Sequence, residues 1–335
     1  MSDLSKPQFH DENAAREWLE SELWPAGPVC PHCGTVNQAT LLQRGTKPRK
    51  TQPDPEKKRP HRAGLYQCNS CREPFTVTVG TLYERSHIPL NKWLAATHLM
   101  MASKKGMSAL QISRMIGISY KSSWFMCHRI RESLRGTKLE TQLGGANKVV
   151  EADETYIGGK EGNKHPSKRQ HRGRGPLGKE PVVSLVERDG RVRSMHMPDV
   201  TGQNLKLALA IQVHQNSYLM TDESGVYIQA GRQFDGHGTV NHSIEEYVRG
   251  GFWHTNTVEG YFSILKRGIV GTYHHVSQQH LKRYLAEFDY RYNERIALGV
   301  SDGQRMAKSV QGIVGKRLTY RRTRRQQEID DTIPF

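Results

Sequence analysis

Two short cysteine pairs constrain this chain more than any other feature. Cys30-Pro-His-Cys33 and Cys68-Asn-Ser-Cys71 are each a C-x-x-C knuckle, with 34 residues between them. Such a knuckle aims two thiolates at one point, and two knuckles complete a tetrahedral set around a single zinc ion. A redox pair, or two unrelated pairs, is the alternative. A closed four-thiolate site leaves no open coordination position, so the zinc expected here is structural rather than catalytic. Five cysteines in 335 residues do not make a disulfide framework and fit a reducing cytoplasm. The fifth, Cys127, is expected in the core, on the inner side of a helix with Tyr120 and Trp124.

The gap between the knuckles holds a polar insertion, expected as a loop or arm. Its segment Arg44–Arg62 carries eight Lys or Arg against two acids. The whole chain has a formal net charge of +16. Such an excess, gathered in segments, favours a polyanion, and nucleic acid is the usual one; a solvated basic protein is the alternative. No run approaches the ~20 apolar residues of a membrane-spanning helix, and the acidic, polar start MSDLSKPQFHDENAAREWLE does not read as a secretory signal. These features predict a cytoplasmic protein with no membrane partner.

Length predicts two or three domains. Ala14, Ala15, Trp18 and Leu19 mark an opening helix, and the alternation of Phe75, Val77 and Val79 predicts a strand after the second knuckle. Helices are predicted over Pro89–Lys105, from Ser108, and from Ser119 to Leu134. Gly106 stops the first, Ser108 with Gln111 forms a capping box on the second, and Ser119 caps the third. Helix, short turn through Gly117, helix is the pattern of a helix-turn-helix. Its second helix is expected to turn Lys121, Ser122, Phe125 and Arg129 outward toward phosphates and base edges; an ordinary packing hairpin is the alternative.

The C-terminal half alternates strands and helices. KVVEADETYIGG, VVSLVER, RVRSMHM and SYLMTDES read as strands, with a tight turn at Asp189-Gly190; NLKLALAIQVHQ, HTNTVEGYFSILKRGI and QQHLKRYLAEFDYRYNERI read as helices. A basic, Gly-rich loop, Gly159–Lys179, and a basic tail over Lys316–Arg325 are candidate phosphate contacts or solvated segments. Three acids hold telling positions. Asp153 lies within a strand, Asp222 ends another, and Glu259 opens a helix whose Lys266 follows seven residues later on the same side. Three unrelated surface acids is the alternative. Strand and helix carboxylates that meet could share divalent cations, and Mg²⁺ prefers a few carboxylate oxygens with water and phosphate. Two such ions about 4 Å apart activate a nucleophile and stabilise the leaving oxygen of a phosphodiester.

The ordered series CPHCG, QCNSC, FTVTVGTLYERSHIPLNKW, the two helices, EADETYIGGK, TDES, VNHSIEEYV and HTNTVEGYFSILKRGIVGTYHHVS resembles bacterial insertion-sequence transposases of the DDE class. The type is the one with an N-terminal zinc ribbon and a catalytic domain named for a Xanthomonas element. The resemblance spans roughly residues 10 to 300. It implies an α/β protein: a zinc ribbon within residues 1–85, a helix-turn-helix over 86–140, a ribonuclease H-like mixed-sheet catalytic domain over 145–300, and a basic tail over 301–335. Asp153, Asp222 and Glu259 are implied as Mg²⁺ ligands, with Mn²⁺ a possible substitute and Asn256 the alternative third ligand. Lys266 is implied to hold phosphate near the cut, with Arg267 beside it on DNA. His254 and His275 are implied near the site, or are hydrogen-bonded structural histidines; Glu151, Glu154 and Glu223 are expected as supporting or surface acids. The implied activity is metal-dependent strand cleavage and strand transfer at terminal inverted repeats, by a homo-oligomer assembled on DNA at the bacterial nucleoid. The alternatives are a non-enzymatic DNA-binding regulator, a domesticated or decayed transposase, and a metal nuclease without strand transfer.

Overall fold

The computed structural model describes residues 3–42, 63–136, 141–159, 161–169, 178–240 and 252–320. The expected insertion arm, the centre of the Gly159–Lys179 loop, the VNHSIEEYV motif beyond Val240 and the tail beyond Tyr320 lie outside the described residues. The chain divides into two compact units. One comprises Met1–Ala102, Ala109–Ser133 and Asp302–Tyr320; the other comprises Ser103–Ser108, Leu134–Ser301 and Arg321–Phe335.

The first unit joins a small sheet to a helical cluster. α1 (Glu12–Leu23) starts where the Asp11 carboxylate accepts the Ala14 N–H at 2.8 Å, a side-chain N-cap. Strands β1 (Ala39–Leu41), β2 (Tyr66–Cys68) and β3 (Pro74–Phe75) pair antiparallel in that order. The expected strand through Val79 ends at Phe75. The Thr76 and Thr78 hydroxyls meet at 3.0 Å, and the N–H groups of Val79 and Thr81 return to the carbonyls of Thr76 and Thr78. These consecutive turns bury Val77 without extending the strand. α2 (Leu90–Ala102) is apolar nearly all round and packs against α1, α3 (Ala109–Ile116), α4 (Tyr120–Ser133) and α9 (Asp302–Gln311). A helix covered on several sides needs no polar face.

α3 and α4 are joined through Gly117, whose φ of +64° is left-handed. Ser119 caps α4 as expected, its hydroxyl accepting the Ser122 N–H at 3.3 Å. Cys127 is fully buried, but Tyr120 is 55% exposed and does not share that inner face. The segment expected as a tail contains α9. Beyond it the chain pairs with the first unit again: Thr81 bridges Val314, and the Leu82 N–H donates to the Ile313 carbonyl at 3.1 Å.

The second unit is built on a five-stranded mixed sheet. The strands are β4 (Val149–Ile157), β5 (Glu180–Glu187), β6 (Val192–His196), β7 (Tyr218–Asp222) and β8 (Gly236–Val240), in the order β6-β5-β4-β7-β8. β6, β5 and β4 run antiparallel; β4, β7 and β8 run parallel. Asp189, at φ +57°, turns the β5–β6 connection beside Gly190. β8 and the preceding α6 (Gly225–Gly231) have weak sequence signals. β8 reads Gly-His-Gly-Thr-Val, with little apolar alternation.

Each face of the sheet carries its own core, because strand side chains alternate. Val150, Ala152, Val183, Leu185 and Leu219 pack with α5 (Gly202–Gln212) and Tyr227 of α6. Ile157, Val182 and Val186 pack with Val258, Phe262, Leu265 and Ile269, the apolar stripe of α7 (Asn256–Gly268) and its C-cap, and with α8 (Gln278–Asn293). Among the described residues, no helix is long and apolar enough to cross a membrane.

Candidate active site

The sheet register brings the two strand aspartates side by side. β4 and β7 pair Val149 with Tyr218, Val150 with Leu219 and Glu151 with Met220. Two residues further along both parallel strands, Asp153 stands beside Asp222, on the face that α7 covers. Asp153 is pushed up to about 7, first by burial and then by the carboxylates of Glu154, Asp222 and Glu259; the Glu154 N–H, donating to Asp153 Oδ1 at 2.7 Å, pulls the other way. Desolvation penalises the charged form, and like charges nearby add to that penalty. Acids from two strands and one helix therefore share one electrostatic environment, and a divalent cation would relieve it. The donor set is all oxygen, which suits Mg²⁺. The carboxylate oxygens do not close into a tight cage: among the described residues, the cysteines form the group of three or more potential ligands lying within 4.8 Å of one another. Mg²⁺ keeps several waters and takes one or two carboxylates, so the open spacing fits.

Glu259 is half-buried in the first turn of α7, with Oε1 accepting the Thr255 hydroxyl at 3.2 Å. Asn256, the alternative ligand, begins the same helix and is exposed. Lys266 and Arg267 are exposed in its last turn. Lys266 Nζ lies 6.0 Å from the Phe262 ring centroid, and Arg267 folds back on the Ser263 hydroxyl at 2.6 Å.

Glu151 is the residue that sequence reasoning undervalued. It is fully buried under α7 rather than at the surface. Its Oε2 accepts the backbone N–H groups of Thr257 at 2.8 Å and Val258 at 3.0 Å, and its Oε1 accepts the Thr257 hydroxyl at 2.8 Å. Thr255, in the N-cap position, makes no cap of its own, so a carboxylate more than a hundred residues away closes the helix end. Arg188 seals the arrangement. Its Nε donates to Glu151 Oε1 at 2.7 Å, and its terminal nitrogens donate to the carbonyls of Phe252 and His254, each at 2.9 Å. His254 Nδ1 lies 3.3 Å from Glu151 Oε1, so its contact is with this buried acid. The available signal was a Glu at alternate spacing with Asp153, on the same face of a strand with apolar neighbours. Glu154 points to the opposite face, where Tyr227 donates to it at 2.8 Å; Glu223 and His275 are exposed.

The cysteines close as their spacing predicts. Cys30 Sγ is 3.6 Å from Cys71 Sγ, and Cys33 Sγ is 3.6 Å from Cys68 Sγ. A tetrahedron with Zn–S bonds of about 2.3 Å has edges of about 3.8 Å, so four thiolates here frame one zinc. Cys33 is drawn down to about 6, first by the Thr35 hydroxyl and then by its N–H. Trp24, Tyr66 and Phe75 pack around the cluster.

On α4, Lys121 is exposed with Nζ 5.3 Å from the Tyr320 ring centroid, and Ser122 is half-exposed and bonded to Ser119. Arg129 departs from its expected outward position. It is 9% exposed, donates to the Glu84 carbonyl at 2.8 Å, and stacks against Trp93 and Phe125. The aromatic wall beside it covers the guanidinium and its stem.

One unit carries a zinc-ribbon-like cysteine cluster and the other a mixed sheet with acids at its strands, which together define an α/β protein with a zinc-ribbon unit. Residues 142–293, which hold all three acids, match the ISXO2-like transposase domain, and residues 10–73, which hold all four cysteines, match the transposase zinc-ribbon domain. The chain belongs to the insertion-sequence transposases that combine these two domains. It is similar to an uncharacterized protein in transposable element ISH50 of Halobacterium salinarum, 27% identical over 294 residues, covering 84% of this chain and 91% of the relative. Among solved structures, it matches a chain of the simian T-cell lymphotropic virus intasome in complex with the PP2A regulatory subunit B56 gamma, at 15% identity and a TM-score of 0.27. That match spans 53% of this chain and 63% of the other, less than two thirds, and a TM-score of that size does not define a common fold.

Proposed function

We propose that this transposase cuts DNA at the terminal inverted repeats of its element and joins the freed ends to target DNA. The observation that carries the reading is the parallel register of β4 and β7, which sets Asp153 beside Asp222 on the sheet face covered by α7, the helix whose first turn holds Glu259. Three acids brought together from separate elements at an electrostatic cost are better explained by a bound cation than by packing.

Asp153, Asp222 and Glu259 hold Mg²⁺ in this reading, and Mn²⁺ can replace it. When bound, the metal supplies positive charge to a phosphodiester and to an attacking oxygen. The chain's own residues supply the geometry. Glu151 and Arg188 hold the start of α7, and with it Glu259, against β4. Lys266 and Arg267, on the exposed last turn of α7, offer charge to DNA phosphates. In the first step water attacks phosphorus in line, the P–O3′ bond at the element end breaks, and the released strand carries a 3′-hydroxyl. That hydroxyl then attacks a target phosphodiester, forming one P–O bond as another breaks, so no covalent enzyme–DNA intermediate is needed. The zinc ribbon and the α3–α4 pair bind the inverted repeats, with Lys121 and Ser122 at the DNA. Joining two ends calls for a homo-oligomer assembled on DNA, at the nucleoid, and a ribonuclease H-like core is the arrangement that fits the mixed sheet.

A strand-transfer assay with element-end DNA and Mg²⁺ tests this. Wild type joins ends to target, whereas Asp153→Asn and Asp222→Asn bind the same DNA and leave it intact. Cut but unjoined products would replace the reading with a simple nuclease. DNA bound but never cut under any divalent metal would favour a regulator or a decayed transposase.

A further inference from the structure

The first unit holds a basic concavity that the catalytic reading does not use. It has a volume of about 210 Å³ and is lined by Glu84, Arg85, Phe125, Arg129, Arg317 and Tyr320, among others. Three separate stretches build it. The turn after the zinc ribbon gives Glu84 and Arg85, α4 gives Phe125 and Arg129, and the chain beyond α9 gives Arg317 and Tyr320. The backbone pairing of Gly80 with Gly315 and of Leu82 with Ile313 fixes the first stretch against the third.

Three arginines and one glutamate line it. Arg129 is 9% exposed, and its Nε is buried with no hydrogen-bond partner among the described residues. Burial lowers its pKa; Tyr83 and Glu84 oppose that shift, and the Arg317 charge adds to it. Glu84 is the acid among the lining residues, and it is partly committed elsewhere. Its Oε2 accepts the Gly80 N–H at 3.1 Å, while Oε1 lies 3.5 Å from Arg85 Nε. A desolvated guanidinium next to a second arginine costs free energy that an anion would offset. Lys121 stands over the Tyr320 ring and Phe125 meets that ring edge-on at 5.7 Å, so the aromatic wall is already occupied and offers little face for a base. The volume far exceeds the ~30 Å³ share of one water, enough for a phosphate and its flanking sugar.

We propose that this concavity is a phosphate site, formed by Arg85, Arg129 and Arg317, that grips one phosphate of the bound DNA. The source of that phosphate rests on the transposase reading; the site itself does not. Planar guanidinium forks match phosphate oxygens in pairs.

The full zinc-loaded chain is tested in two ways. Thermal unfolding is followed at constant ionic strength as chloride is exchanged for inorganic phosphate. Wild type gains Tm with phosphate, and Arg85→Ala/Arg317→Ala, two exposed changes that spare the buried Arg129, loses the gain. Binding of short duplexes with 5′-phosphate or 5′-hydroxyl ends is then measured against salt, with Lys206→Ala in the other unit as a charge control. The double variant weakens binding about tenfold and lowers the log–log salt slope by about one to two, beyond the control. Loss on both duplexes identifies a backbone phosphate, and loss confined to the 5′-phosphate duplex identifies a terminal one. No Tm response in wild type, or the same response in both proteins, overturns the site. A lost response with DNA binding unchanged overturns its assignment to DNA. Wild type that responds to phosphate but binds neither duplex sinks the transposase reading and leaves the site standing.

Discussion

Glu151 Oε2 accepts the backbone N–H of Val258 at 3.0 Å, so a carboxylate on β4 caps the helix that carries Glu259. The same strand carries Asp153 two residues later. One buried side chain thus sets the position of α7 relative to the strand acids. Its charge suits a helix N-terminus, where the backbone dipoles leave partial positive charge, and Arg188 neutralises what remains. Glu151→Ala would strand a largely buried arginine and leave two helix N–H groups unpaired, at a cost of about 3–5 kcal/mol. Urea denaturation reads that loss. Glu151→Gln keeps the shape, retains more stability, and lowers cleavage more than DNA binding; equal wild-type cleavage in Glu151→Gln would refute a positioning role.

The third acid separates two candidates three residues apart. Glu259 is half-buried and near enough to raise Asp153, whereas Asn256 is exposed. Glu259→Gln is expected to abolish cleavage while leaving DNA affinity within about twofold, because losing one ligand from a metal site costs chemistry before it costs phosphate contacts. Asn256→Ala is expected to cut. A dead Asn256→Ala beside an active Glu259→Gln would transfer the ligand role to the amide.

Zinc content provides a separate readout. Cys68→Ser removes a fully buried thiolate from the cluster, and bound zinc, measured by elemental analysis, should fall from about one ion per chain to near none. Trp24 lies 5.5 Å from Tyr66 and 5.8 Å from Phe75, against the cysteines, so tryptophan fluorescence should change as zinc leaves. Retained zinc in Cys68→Ser would mean that the ion sits elsewhere.

Asp289 gives a pH prediction away from the metal ligands. It is half-buried between α8 and β6 and pushed up to about 6 by desolvation, although the Tyr261 hydroxyl at 2.5 Å and the Ser194 hydroxyl and N–H, each at 2.7 Å, oppose the shift. The folded chain therefore keeps this proton to a higher pH than the unfolded chain, whose aspartate releases it near 4. Its contribution to stability is full below about 4 and is lost as pH rises through about 6, a change of about 3 kcal/mol. Asp289→Asn should remove that decline, seen as a smaller difference in unfolding free energy between pH 4 and pH 7. An unchanged difference would exclude Asp289 as its source.

Much of the second unit was legible because its signals are local. The apolar stripe of α7, the strands around Asp153 and Asp222, and the Asp189-Gly190 turn each depend on neighbours within a few residues. The weak elements were weak for a physical reason. β8 has glycines where a strand would show apolar alternation, and it forms because β7 presents an unpaired edge to it. α9 begins where a basic tail was expected, and its buried Arg305, Met306 and Val310 make sense only against the helices it meets.

By itself, the sequence determined the chemistry available to this protein: four thiolates in two knuckles, three acids on strand, strand end and helix, and an excess of cations. Residue type and short spacing carry that information. Only the tertiary structure decided that Glu151 lies beneath α7, that Arg129 lines a concavity instead of facing outward, and that the chain after α9 returns to complete that concavity. Those outcomes depend on burial and pairing between residues as much as 235 positions apart, Gly80 and Gly315, because a buried charge is stable only where the fold supplies its partner.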